Sequence, residues 1–137
     1  VLLVISNSGI NAVPVEMALE GEQRGLTVIA LTSLRHSQMV TARHPNGKRL
    51  FEVADIVLDT CGEPGDAVVA YPGFAGKVAP TSLLAGSYII NSLVCRVVEL
   101  FLAHSLTPPI YLSANLPGGD AHNRALAAKY RGRIRGL

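Results

Sequence analysis

Ser6, Asn7, Ser8, Gly9 and Asn11 follow directly on five branched apolar residues, in the stretch VLLVISNSGIN at positions 1–11. Hydroxyls and side-chain amides donate hydrogen bonds, and a glycine lets a ligand come close to the backbone. If a helix begins just beyond them, its first N–H groups are unpaired and its dipole presents a positive end. Together these are the parts of a phosphate cradle. The same residues also suit plain helix capping by Ser8 or Asn11. Residue types alone leave both readings open.

The surrounding elements place this stretch. Val1–Ile5 is unbroken and β-branched, which suits a parallel strand covered on both faces. Positions 12–24 have helical periodicity. Val13, Met17 and Ala18 are expected to share the inner face, with Glu16, Glu20 and Gln23 outside. The loop is therefore a strand-to-helix turn at the C-terminal edge of a parallel sheet, where doubly wound α/β proteins bind ligands. The pattern recurs. A second strand is expected at Leu26–Leu31, after the helix stop Arg24-Gly25, and it leads to Thr32-Ser33. A short helix over 37–42, a turn at 44–47, and one or two helical turns over 48–53 precede a third strand, Ala54–Asp59.

Positions 60–80 hold Gly62, Pro64, Gly65, Pro72, Gly73, Gly76 and Pro80. That composition predicts a long irregular excursion with a short hairpin from 67–71 and 77–79. Loops of that length are often functional. Thr81-Ser82 then caps a long apolar helix over 83–102. The run approaches a membrane span in length, but Ser87, Asn91, Ser92, Arg96 and Glu99 interrupt it. A buried helix, against the sheet or a partner subunit, is the expectation. Ile110–Ser113 reads as a short last strand and 121–130 as a final helix. The basic tail KYRGRIRGL reads as a solvated end.

The bulk composition narrows the classes. A chain of 137 residues can bury a core, and 49% hydrophobic residues exclude disorder. A net charge of +2 gives no case for nucleic acid. Cys61 and Cys95 lack a C-x-x-C partner or nearby His ligands, which fits a reduced, cytoplasmic protein. No metal site, cofactor or membrane segment is expected. The chain begins inside a strand without an initiator Met, so it is expected to be the C-terminal portion of a longer protein. Alternating strands and helices imply an α/β fold, a parallel sheet with helices on both faces. Three hydroxyl-bearing ends, Ser6/Ser8, Thr32/Ser33 and Thr81/Ser82, then converge on one edge. They suit an oxygen-rich ligand such as a phosphorylated sugar.

Those residues resemble a SIS (sugar isomerase) domain. The family pattern runs strand, Ser-x-Ser-Gly, a Glu- and Ala-rich helix, a strand ending in Thr, and an "aD-x-v-l" strand. Here it reads VISNSGINAVPVEMALEGEQRGLTVIALTS and GKRLFEVADIVLDT, followed by the long helix in VAPTSLLAGSYIINSLVCRVVELFL. RHPNGKRLFEVAD, PGDAVV, LSANLPGGDAHN and YRGRIRGL resemble bacterial SIS proteins described as phosphosugar or phosphoheptose isomerases. The resemblance implies a three-layer α/β/α sandwich with a mostly parallel, doubly wound, flavodoxin-like sheet. It implies one phosphosugar-binding domain over 1–137, without the family's earlier strand and helices. It assigns phosphosugar binding to Ser6, Asn7, Ser8, Gly9 and Asn11, to Thr81 and Ser82, and to Thr32 and Ser33. Asn11 replaces the commoner Thr or Ser. A homodimer or higher homo-oligomer is implied, with residues of the neighbouring subunit able to reach the pocket.

Aldose–ketose isomerisation needs a base to move a proton between adjacent carbons and an acid to open the ring. Glu63 in the Gly/Pro excursion and His44 before Pro45 are the catalytic candidates. Asp66, Glu16, His36 and His122 are weaker ones, with Glu16 better suited to a surface salt bridge. His44 equally suits a turn, and His104 a helix-dipole contact. Four readings follow: a phosphosugar isomerase, a non-catalytic phosphosugar sensor, a phosphosugar lyase, and a flavodoxin-like FMN protein. The last is disfavoured by the lack of Trp, by only four Tyr to stack on a flavin, and by a chain that is not acidic.

Overall fold

Three apolar runs form one parallel sheet. In the computed structural model, which describes residues 1–134, β1 (Leu2–Ile5), β2 (Val28–Thr32) and β3 (Ile56–Asp59) lie in the order β1-β2-β3. Val4 pairs with Ala30 and Ala30 with Val57, so the strand ends are level. Between them run α1 (Ala12–Gln23), α2 (Leu34–Met39) and a 3-10 turn (Leu50–Glu52). The excursion holds the expected hairpin, β4 (Ala67–Ala70) against β5 (Lys77–Pro80), antiparallel. Then come α3 (Ser82–Ala103) and α4 (Gly119–Tyr130). The chain divides into two compact units, one ending at Leu93 and one starting at Val94.

The core of the first unit is Val4, Ala18, Val28, Ala30 and Leu50, with Leu2, Val53, Ala54 and Val57 packed on it. The buried face of α1 is Val15, Ala18 and Gly21; Val13 and Met17, expected inside, are exposed. The helix is apolar on two sides, so periodicity cannot choose between them. Contact with the sheet chooses the side with the smallest residue. A Cβ on Gly21 would lie 2.7 Å from Leu2 Cδ2 and 3.2 Å from Val28 Cγ2. Successive residues of β1 face opposite sides, and the strand is at the sheet edge. Leu3 and Ile5 are consequently exposed, so β1 is not covered on both faces as expected.

Helix α2 begins three residues earlier than expected, because Ser33 caps it by accepting the His36 N–H at 3.2 Å. Its C-terminal end is tied to the 3-10 turn by Arg49. Nη1 donates to the carbonyls of Ser37 and Gln38 at 3.1 and 3.3 Å, while Nε and Nη2 hold the Glu52 carboxylate at 2.8 and 3.1 Å. This staple sets Leu50, fully buried, beneath the sheet's edge loops.

Helix α3 has the expected extent but no buried residue. Leu83, Leu84 and Tyr88 are 77%, 73% and 76% exposed, so the expected burial on the sheet is not found. By length and composition α3 could cross a membrane, yet an Arg96–Glu99 ion pair (2.8 Å) lies within it. In the second unit, Ile110–Ser113 is irregular and not the expected strand. Side chains of α4 take the places of a neighbouring strand. Asn123 Oδ1 accepts the Leu112 N–H (2.9 Å), Asn123 Nδ2 donates to the Leu112 carbonyl (2.8 Å), and His122 Nε2 reaches the Ile110 carbonyl (3.0 Å). The last three residues of the basic tail lie outside the described residues; Arg131 and Arg133 before them are exposed.

Leu50 joins the core to the loop segments, so Leu50→Ala should cost about 2–5 kcal/mol of unfolding free energy. Urea denaturation checks this through a lower midpoint with an unchanged slope.

Candidate functional site

The loop after β1 is held by its carbonyls. The Asn7 carbonyl accepts the Ser33 N–H (2.9 Å) and the Thr32 hydroxyl (3.0 Å). The Gly9 carbonyl accepts the Leu50 N–H (2.7 Å), and the Ile10 carbonyl accepts the Arg43 N–H (2.9 Å). Ser6 N–H continues the ladder to Leu31, and Ser6 Oγ accepts the Gly9 N–H (3.2 Å). The N–H groups of Asn7, Ser8, Ile10 and Asn11 have no partner among the described residues. Helix α1 starts without a side-chain cap. Asn11 Oδ1 instead accepts from Arg43 Nη1 at 3.1 Å, which leaves its NH₂ group for other acceptors. The sequence-level alternative of capping by Asn11 or Ser8 is therefore not what the loop does.

Gly9 carries the turn. Its φ is +62°, and a Cβ there would meet Thr32 Oγ1 at 3.1 Å, Ser37 Oγ at 3.2 Å and Leu50 Cβ at 3.3 Å. Both the left-handed backbone and the crowding require glycine.

Beside the loop is an open cavity of about 440 Å³, lined by Ile5, Ser6 and Asn7 and, on α3, by Ser82, Ser87 and Asn91 among others. Three of the expected ligand residues, Ser6, Asn7 and Ser82, thus share one space. Ser8 and Gly9 lie in the same loop, and Asn11 lines a smaller groove with Ser6, Val13 and Met17. Thr32 and Ser33 are a correction. Both are fully buried: the Thr32 hydroxyl holds the Asn7 carbonyl, and the Ser33 hydroxyl donates to the Gly62 carbonyl at 2.7 Å. They brace the loop from behind. Thr81 is next to Ser82, but its hydroxyl is directed to Asp66.

Neither expected proton-transfer residue lines the cavity. Glu63 pairs with Arg35 at 2.6 Å, one residue beyond the Gly62 that approaches Asn7. His44 is almost buried, its Nε2 2.7 Å from Glu16 Oε1 on α1 and its Nδ1 accepting the Asn46 N–H at 3.2 Å. The neutral ring therefore carries its proton on Nε2. The Glu16 carboxylate, with a further push from the Asn46 side chain, raises its pKa above the ordinary 6.5.

Two residues were not assigned these roles from sequence. Arg43 gives the loop a main-chain donor at Ile10 and a side-chain donor at Asn11, far from it in sequence. Asp66 caps α3 across 16 positions. Its Oδ2 accepts the Ser82 hydroxyl at 2.6 Å, and its Oδ1 accepts the N–H groups of Ser82 (2.7 Å) and Thr81 (3.0 Å). These bonds, the Ser82 hydroxyl foremost, hold the carboxyl below its usual range. No local motif announces either residue; only the hairpin register and the path of 40–50 bring them in.

Positions 1–33, which contain β1, the loop, α1 and β2, match the family model described as the SIS domain. Over residues 1–33 the chain is thus similar to the SIS domain. Along nearly its whole length the chain is similar to UPF0309 proteins. That of Oceanobacillus iheyensis is 48% identical over 98% of this chain and 54% of its own length. That of Shouchella clausii is 46% identical over the same shares, and that of Caldanaerobacter subterraneus 40% over 99% and 56%. The chain spans about half the length of these curated relatives. The Ser6–Asn11 loop lies within the 1–33 match, and the α3 residues that line the cavity lie outside it.

Two outcomes are expected. Gly9→Ala should destabilise the SIS loop by about 1–3 kcal/mol through its forced positive φ, read as a lower unfolding midpoint. The His44 ring should titrate above 6.5 by NMR, and Glu16→Gln should bring it down. Because the folded pKa is raised, the pair stabilises fully below the unfolded value and loses that contribution as pH rises through the folded one.

Proposed function

We propose that the chain binds a phosphorylated sugar, with the phosphate on the Ser6–Asn11 loop and the sugar in the adjoining cavity. The observation that carries this is the loop's division of labour. Its carbonyls of Asn7, Gly9 and Ile10 are bonded from behind, while four of its N–H groups are unpaired among the described residues. A set of fixed, unpaired donors favours an anion. Ser6 Oγ accepts from Gly9, so its own proton is available to a phosphate oxygen. Arg43, hydrogen-bonded to Asn11, adds a nearby positive charge. The SIS match over 1–33 supports the same ligand class.

Isomerisation is the further step in this reading. The phosphate would anchor the ligand, and a proton would move between adjacent sugar carbons. The cavity's hydroxyl and amide side chains can orient hydroxyls but cannot serve as the base. That group would come from Glu63 after rearrangement of its Arg35 pair, from His44, from a part of the whole protein outside this chain, or from a second copy. A non-catalytic sensor and a phosphosugar lyase share the binding half of the reading. In the whole protein, we read the three-strand sheet as part of a doubly wound, three-layer α/β/α sandwich in a cytoplasmic homodimer. The exposed apolar surface of α3 would then be covered by protein.

Calorimetric titration of the full-length protein with sugar phosphates, the same sugars without phosphate, inorganic phosphate and FMN tests the reading. Selected sugar phosphates should bind. Ser6→Ala and Ser8→Ala should each weaken them by about 1–3 kcal/mol, as for hydrogen bonds to a charged group. Unchanged affinity in both variants sinks the placement of the phosphate; binding of FMN alone sinks the ligand class.

A further inference from the structure

Asp66 is placed with unusual care. Glu63-Pro64-Gly65-Asp66 forms a turn closed by the Asp66 N–H on the Glu63 carbonyl at 2.9 Å, with Gly65 at φ +81°. Asp66 itself is at φ +71°, a conformation that costs a residue with a Cβ. The hairpin pairs Ala67 with Pro80, so Asp66 falls opposite Thr81, at the start of α3. There the carboxylate takes the N–H groups of Thr81 and Ser82 and the proton of the Ser82 hydroxyl.

This decides what Ser82 can offer the cavity. An ionised carboxylate only accepts hydrogen bonds, and a serine hydroxyl has one proton. With that proton on Asp66 Oδ2, Ser82 presents only lone pairs to the space it shares with Ser6 and Asn7. Phosphate oxygens are acceptors and would be repelled. A sugar hydroxyl is a donor and fits. The positive end of α3 is likewise already occupied by a carboxylate of the chain's own.

We propose that Asp66 is a positioning residue that fixes Ser82 as a hydrogen-bond acceptor for a ligand hydroxyl, so that the ligand's phosphate lies on the Ser6–Asn11 loop and a hydroxyl-bearing carbon lies at Ser82. This rests on the phosphosugar reading and adds the ligand's direction to it. Asp66→Asn tests it. The Asn oxygen can still accept both N–H groups, but its NH₂ donates to Ser82 Oγ and turns the serine proton toward the cavity.

Calorimetry on the folded full-length protein, with inorganic phosphate and a panel of hexose 6-phosphates, reads the effect. In the unmodified protein at least one hexose phosphate should bind more tightly than inorganic phosphate. In Asp66→Asn that hexose phosphate should lose roughly tenfold in affinity, the scale of one hydrogen bond, while inorganic phosphate changes less than about twofold. Ser82→Ala should give a loss of the same size, and the double variant no further loss. A cap that only stabilises α3 would lower the unfolding midpoint and leave the ratio of the two affinities unchanged, which overturns the proposal. So does an unmodified protein that binds inorganic phosphate and no hexose phosphate more tightly. If neither probe binds the unmodified protein, the phosphosugar reading itself fails.

Discussion

The first unit depends on a rule of main-chain chemistry: a buried carbonyl must find a donor. The turn after β1 contains three such carbonyls in four residues, and three separate segments supply the donors. Ser33 follows β2, Arg43 lies in the irregular stretch before the 3-10 turn, and Leu50 begins that turn. Once these bonds form, the peptide planes are fixed and the N–H groups are left unpaired. The open donors are a by-product of satisfying the acceptors.

The supporting parts make sense in that light. Arg49 ties α2 to Glu52 and so holds Leu50 where its N–H meets Gly9. Thr32 and Ser33 are buried hydroxyls, each bonded to a loop carbonyl, which is how such groups avoid the cost of desolvation. Gly9 allows the turn to sit directly on Thr32, Ser37 and Leu50. A hairpin from a different part of the chain delivers Asp66 to the opposite wall of the cavity. One wall therefore offers donors and the other, through Ser82, an acceptor.

Much of this was legible in the sequence. Branched apolar runs gave the three strands within two residues, Gly and Pro marked the hairpin, and Ser-Asn-Ser-Gly gave the loop and its SIS likeness. What was not legible depended on long-range contact. Nothing in Val13, Val15, Met17 and Ala18 says which side meets the sheet; Gly21 against Leu2 decides it. Thr32 and Ser33 look like ligands because their types are right, and only burial shows them to be braces. His44 before Pro45 carries no sign of a partner on α1. Ile110–Ser113 has strand-like residues, but Asn123 takes the role of a neighbouring strand. The exposure of α3 is likewise outside what local pattern can reveal.

Arg43 carries a consequence of its own for how changes in this gene would be felt. Its bond to Ile10 is made by the peptide group, which every amino acid but one possesses. Nineteen of the genetically encoded alternatives at that position collapse, for this contact, into two classes: proline, which deletes the donor, and all others, which keep it. To that extent the outline of the loop is set by the course of the chain rather than by the side chain at position 43. Exchanges at Arg43 other than to proline would keep this main-chain bond, while proline at that one position would act like a lesion in the loop itself.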